Sequence, residues 1–332
     1  MTTTTETDKV CKPSVQHQKW AAFGVLAGQS IFTLTGSIVR VTGSGLGCDT
    51  WPNCHPGSLV PVAGAAPWIQ QLIEFGNRTL TFVLVALTIW LVYVVMKTNR
   101  RKSVKVLAWI QLLGVVVQAI IGGISVLMDL KWYAVALHFL PSVLLVFLAA
   151  ITVVRVGEPD DGHVHRVYPK LIEYLALSSS IVLAIVLSTG TMVTGAGPHA
   201  GDDEDGMKGR LEVDIETIAH VHAATMYVFF ALTIALLVAI FVLKAGHKAK
   251  NLALWLVIAC AVQGAIGIIQ FNLGIPRWTV PAHVFLSSVV TALMGFVFAH
   301  GITRLPYPQS DAHGVEASSL AAEQEPATPP SS

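Results

Sequence analysis

Runs of about twenty apolar residues, parted by short polar or basic stretches, recur along this chain of 332 residues. About twenty is the length an α-helix needs to cross a bilayer's hydrocarbon core, where each backbone N–H and C=O must be satisfied within its own segment. Eight spans are read at about 21–42, 75–96, 105–127, 134–155, 171–193, 218–243, 251–271 and 280–300. Only 12% of residues are charged, against about 25% in a soluble domain. The expected fold class is all-α, a polytopic membrane protein in contact with lipid. A net charge of +1 gives no basic field, so nucleic acid is excluded as a partner.

Lysine and arginine in short loops set the orientation. Lys97, Arg100, Arg101, Lys102 and Lys105 follow the second span, and Lys244, Lys248 and Lys250 the sixth. Arg155, Arg166 and Lys170 lie between the fourth and fifth, and Lys9, Lys12 and Lys19 precede the first. These loops and both termini are expected in the cytoplasm, with 43–74, 128–133, 194–217 and 272–279 outside. The N-terminal stretch lacks a cleavable signal pattern. The tail after Pro306, rich in Ala, Ser, Pro and Glu, is expected to be disordered.

The chain repeats itself. Gln118–His138 and Gln263–His283 are offset by 145 positions, each running 20 residues from Gln to His. Ile121/Ile266, Gly122/Gly267, Ile124/Ile269 and Val135/Val280 match between them. Val41-Thr42-Gly43-Ser44-Gly45 returns as Val193-Thr194-Gly195-Ala196-Gly197. Two pseudo-symmetric four-helix halves are therefore expected, 21–155 and 171–304, with a cytoplasmic linker 156–170 and tails 1–20 and 305–332.

Most of the twelve histidines fall in polar loops. His138, His222 and His283 instead begin the fourth, sixth and eighth spans at a similar outer depth. An ionisable side chain within a span is costly and marks function. One such histidine is as readily structural; three at repeat-related places point to ligation. The 145-residue offset relates His222 to Asn77, so the pairs are Asn77 with His138 and His222 with His283. Two histidines facing each other across a bundle suit a heme, whereas zinc usually takes three or four protein ligands. His220, two residues from His222, points away from it on a helix. Asn77 is a poor iron ligand, so the N-terminal half would leave one face of a bound heme open.

Glu74, Asn77 and Arg78 share a helical face. Glu74 and Arg78 form either an ion pair at the membrane boundary or a carboxylate beside the reacting group with an arginine near a propionate. Arg40 either meets a propionate or snorkels to the interface. Cys48 and Cys54 lie on the oxidising side, six positions apart with Pro52 between them. A disulfide is the leading reading; two free thiols and a pair that accepts reducing equivalents are the others. Cys11 and Cys260 are read as inert. The acidic run Asp202–Asp205 is read as a solvated face rather than a cation site.

Together these residues resemble the heme A synthase family over about 20–304. The resemblance rests on Val41–Cys54 (V-T-G-S-G-L-x-C-x-x-W-P-x-C), on Ile73–Arg78 (I-E-x-x-x-R), and on His138, His222 and His283. It implies an eight-helix membrane enzyme that takes heme O as substrate and oxidises a porphyrin methyl to a formyl group by way of hydroxylation. It also implies a heme b cofactor on His222 and His283, substrate handling by the N-terminal half with a key role for Glu74, and a Cys48–Cys54 disulfide. Heme O synthase is a possible partner; the electron donor is not named by the sequence. The chain departs from many members at Asn77, where they carry a histidine. A b-type cytochrome fed by quinol and a heme transporter or chaperone are the competing readings. A transmembrane electron carrier would be expected to hold hemes at two depths, and here the candidate ligands share one. A transporter has no need of Glu74.

Overall fold

The computed structural model describes residues 13–199 and 209–307. The acidic run, Cys11, Lys9, Lys12 and the tail beyond 307 lie outside the described residues. Among the described residues, eight helices long and apolar enough to cross a membrane follow in order: α1 (Val15–Val41), α2 (Trp68–Met96), α3 (Lys102–Leu127), α4 (Trp132–Val156), α5 (Lys170–Ala196), α6 (Ile215–Val242), α7 (His247–Asn272) and α8 (Thr279–Ala299). Each expected span is found. The helices start earlier than hydropathy suggests, α2 by seven residues, because Gln70, Gln71 and Glu74 depress the apolar average without breaking a helix. Side chains set two starts. Ser14 Oγ accepts the His17 N–H, and Asp214 accepts that of Thr217.

Within the N-terminal half α1 packs on α2 and α4, and α3 on both α2 and α4; within the C-terminal half α5 packs on α6, and α7 on α6 and α8. The halves meet where α1 and α4 cross α8 and where α4 meets α5. One apolar core joins Leu91, Val95, Val104 and Val146; the other joins Ile172, Leu236, Leu256 and Met294. Gly295 brings α8 onto the α4 backbone, where a Cβ would stand 2.8 Å from Phe147 O. The buried amides of Gln29 and Gln111 bond each other at 3.3 Å, and Gln111 donates to Leu145 O at 3.2 Å.

The side read as cytoplasmic carries a feature that hydropathy did not reveal. β1 (His163–Arg166) pairs antiparallel with β2 (Ile302–Leu305), tying the inter-half linker to the chain after α8. Around it Arg100 bonds Asp160 at 2.9 Å and Gln18 at 3.1 Å, and Glu158 takes Arg101 and Arg155 at 2.5 Å each. Arg100, Arg101 and Arg155, three of the basic residues that set the orientation, are thus paired with carboxylates.

Candidate functional site

Each of the three histidines sits on an even-numbered helix with its ring against a glycine of the helix before it. A Cβ on Gly122 would stand 3.1 Å from His138 Cε1; on Gly190, 3.2 Å from His222 Cε1; on Gly267, 3.2 Å from His283 Cε1. Glycine lets α3, α5 and α7 come that close to the rings. His222 and His283 face one another, ring centroids 6.5 Å apart and planes at 72°. His222 Nδ1 is 3.1 Å from Val186 O and 3.1 Å from Thr189 Oγ1. Donation to that carbonyl puts the ring proton on Nδ1 and leaves the Nε2 lone pair free, the arrangement of a metal-binding imidazole. His220 bonds back to Glu216 O and packs on Phe271, apart from this pair.

The equivalent place in the N-terminal half holds Asn77, whose Oδ1 is buried without a partner. An apolar groove of about 220 Å3 between α1 and α2 lies beside it, lined by Ile38, Leu72, Ile73 and Leu80 among others. Pro141 interrupts the α4 ladder next to His138, and Ser142 Oγ donates to His138 O at 2.9 Å.

Glu74 is only 6% exposed, and Arg78 Nε donates to its Oε1 at 3.0 Å. The rest of that guanidinium grips the loop between α1 and α2. Nη1 donates to Thr50 O (2.8 Å) and Asn53 O (3.0 Å), and Nη2 to Cys48 O (2.9 Å). All three carbonyls belong to the small ring closed by the Cys48–Cys54 disulfide. Trp51, at the ring's tip, lies so close on α3 that any side chain at Gly123 would collide with its indole. Gly122, next in the chain, backs His138, so one loop reaches from the Glu74–Arg78 pair to the helix supporting His138. His55 secures the loop further, its Nδ1 2.8 Å from Asp49 and its Nε2 2.9 Å from Gln71, whose amide donates to Val62 O and Ala66 O. Arg40 is engaged elsewhere, donating to Thr194 O and His199 O at 3.1 Å each, across the boundary between halves.

The disulfide, the ion pair and the facing histidines answer sequence expectations. The carbonyl cup around Arg78 and the partners of Arg40 were not anticipated, because backbone acceptors have no residue signature. Gly190 and Thr189 also went unnoticed; the short T-G-T of Thr189–Thr191 was the available signal. Gln118 and Gln263 stood out only as markers of the repeat.

The family of the cytochrome oxidase assembly protein matches residues 19–295. A protein named heme A synthase from Exiguobacterium sp. is 30% identical over 188 residues, 54% of this chain and 60% of that relative. One of the same name from Lysinibacillus sphaericus is 31% identical over 183 residues, 54% of this chain and 58% of the relative. Another from Staphylococcus epidermidis is 30% identical over 203 residues, 57% of this chain and 65% of the relative. The matched stretch thus spans less than two thirds of each relative's length.

Proposed function

Because the chain belongs to the cytochrome oxidase assembly protein family, we propose that it is a multi-pass heme A synthase of the cell membrane. It oxidises a ring methyl of heme O to a formyl group through a hydroxylated intermediate, a net four-electron change that takes up one oxygen atom and passes the electrons to an acceptor outside this chain. Both termini are in the cytoplasm, as the basic loops favour. The observation that carries the reading is the His222/His283 pair. Metal–nitrogen bonds of about 2 Å would let two imidazoles whose centroids stand about 6 Å apart share one metal. The 6.5 Å found suits that demand. These two residues would hold heme b, which would supply single-electron transfer. Val186 O and Thr189 orient one ligand.

The N-terminal half handles substrate. His138 is the imidazole there that meets the substrate heme, with Asn77 opposite in the repeat. Glu74 is the catalytic carboxylate. It stabilises positive charge developing at the oxidised carbon or takes a proton from the hydroxylated product. Arg78 holds Glu74 in place and, with Arg40, keeps positive charge near the outer face for substrate propionates.

Heme extraction from the purified protein tests the reading. Heme B together with heme O, its hydroxylated product or heme A is expected. Heme B alone would favour an electron-carrying cytochrome. His222→Ala and His283→Ala are each expected to lose the low-spin heme b spectrum, and full retention in both would overturn the ligand assignment.

A further inference from the structure

His283 and His138 differ from His222 in what stands behind them. His222 Nδ1 is served by a backbone carbonyl, which substitution cannot remove. Each of the other two has a glutamine on the preceding helix, half-buried Gln263 on α7 and buried Gln118 on α3, related by the repeat. Gln263 Nε2 donates to His283 O at 2.9 Å. Gln118 stands between an acceptor, His138 O, and a donor, Ser142 N. Its amide therefore lies with Nε2 2.9 Å from His138 O and Oε1 3.2 Å from Ser142 N. In that orientation Nε2 is also 2.9 Å from His138 Nδ1.

We propose that Gln263 and Gln118 are positioning residues that make one histidine a permanent iron ligand and the other an exchangeable one. This rests on the heme reading above. In the C-terminal half Gln263 Oε1 and His283 Nδ1 are both buried and without partners. They belong to residues already joined through His283 O, and one is an acceptor where the other can be a donor. The two atoms do not bond each other in this structure; a turn of the Gln263 amide that brings Oε1 to a proton on Nδ1 would free Nε2 for iron and make the imidazole more basic. In the N-terminal half the amide offers its NH2 to Nδ1. His138 then keeps its ring proton on Nε2, and that proton must move before the nitrogen can bind iron. Weaker, reversible ligation suits a substrate that has to leave; firm ligation suits a cofactor that stays.

The test uses the full-length protein purified in detergent with its heme b. In Gln263→Leu the His283 ligand loosens while His222 stays. Heme b should transfer to apomyoglobin 10- to 100-fold faster, the scale for lost outer-shell partners of metal ligands, with part of the low-spin signal becoming high-spin. Gln263→Glu keeps an acceptor for Nδ1, so it should restore slow release and low spin while moving the midpoint potential below that of the unsubstituted protein. In Gln118→Glu the carboxylate accepts from Nδ1, and added heme O should leave the N-terminal half at least about tenfold more slowly. Unchanged heme release and spin state in Gln263→Leu overturns the proposal. Where that variant does not accumulate, an unchanged midpoint in Gln263→Glu overturns it. An unsubstituted protein that carries no heme b sinks the heme reading itself, a different result from heme b that is present and indifferent to Gln263.

Discussion

Arg78 does two jobs with one planar group. It neutralises a buried carboxylate, Glu74, and it ties down three carbonyls of the disulfide ring. A fork of donors is needed for that, and lysine's three donors on one nitrogen cannot reproduce its spread. Glu74→Gln keeps the shape and one hydrogen-bond acceptor while removing the charge. The expected outcome is a normal heme b spectrum with little heme A formed and heme O accumulating in the cells. Wild-type heme A would reduce Glu74 to a structural partner of Arg78. Arg78→Ala should behave differently, because it strands a buried charge, a loss of about 3–5 kcal/mol. It should lower thermal stability as well as heme A output. The Glu74–Arg78 pairing was legible from its four-residue spacing. The cup that holds Arg78 was not, since Thr50, Asn53 and Cys48 act through groups every residue possesses.

Among the elements, the eight helices were the most legible, because membrane spans are written in hydropathy. Their ends were less so. Trp68–Ile73 continues α2 beyond its apolar stretch, and this extra length carries Gln71 out to His55 and the loop. The β1–β2 pairing joins segments well over a hundred residues apart and leaves no local pattern beyond two short alternating runs. The disulfide loop was legible as a pair of cysteines, not as a brace between α2 and α3. Peptides from unreduced protein should show Cys48 linked to Cys54 by mass spectrometry. Closing a ring of about seven residues contributes only about 2 kcal/mol, so Cys48→Ser with Cys54→Ser should leave the eight-helix fold and its heme b intact. The loss should fall on the ring around Arg78, and so on heme A formation with heme b unchanged. Loss of heme b in the double variant would contradict the view that the loop serves the N-terminal half alone.

At the scale of the whole molecule, the two halves share one plan and differ where chemistry would require it. They are joined at both ends of the bundle: Arg40 reaches Thr194 and His199 at one end, and β1–β2 with the Arg100–Asp160 cluster closes the other. The repeat relates Asn77 to His222 and His138 to His283 by the same 145-residue offset. Asn77 ends in a buried oxygen without a partner, and the 220 Å3 groove beside it leaves volume for a larger ring. Asn77→His should therefore be accommodated and should give the substrate half a second imidazole. Such a site would close both faces of an iron bound there, giving a low-spin center distinct from heme b. Added heme O should then produce a second low-spin electron paramagnetic resonance signal in the variant that the unsubstituted protein lacks, and its release should slow by about tenfold or more, as for a gained metal ligand partner. If heme O binds Asn77→His without a new low-spin signal, the residue at 77 does not face the iron, and the equivalence of the two halves stops short of their metal sites.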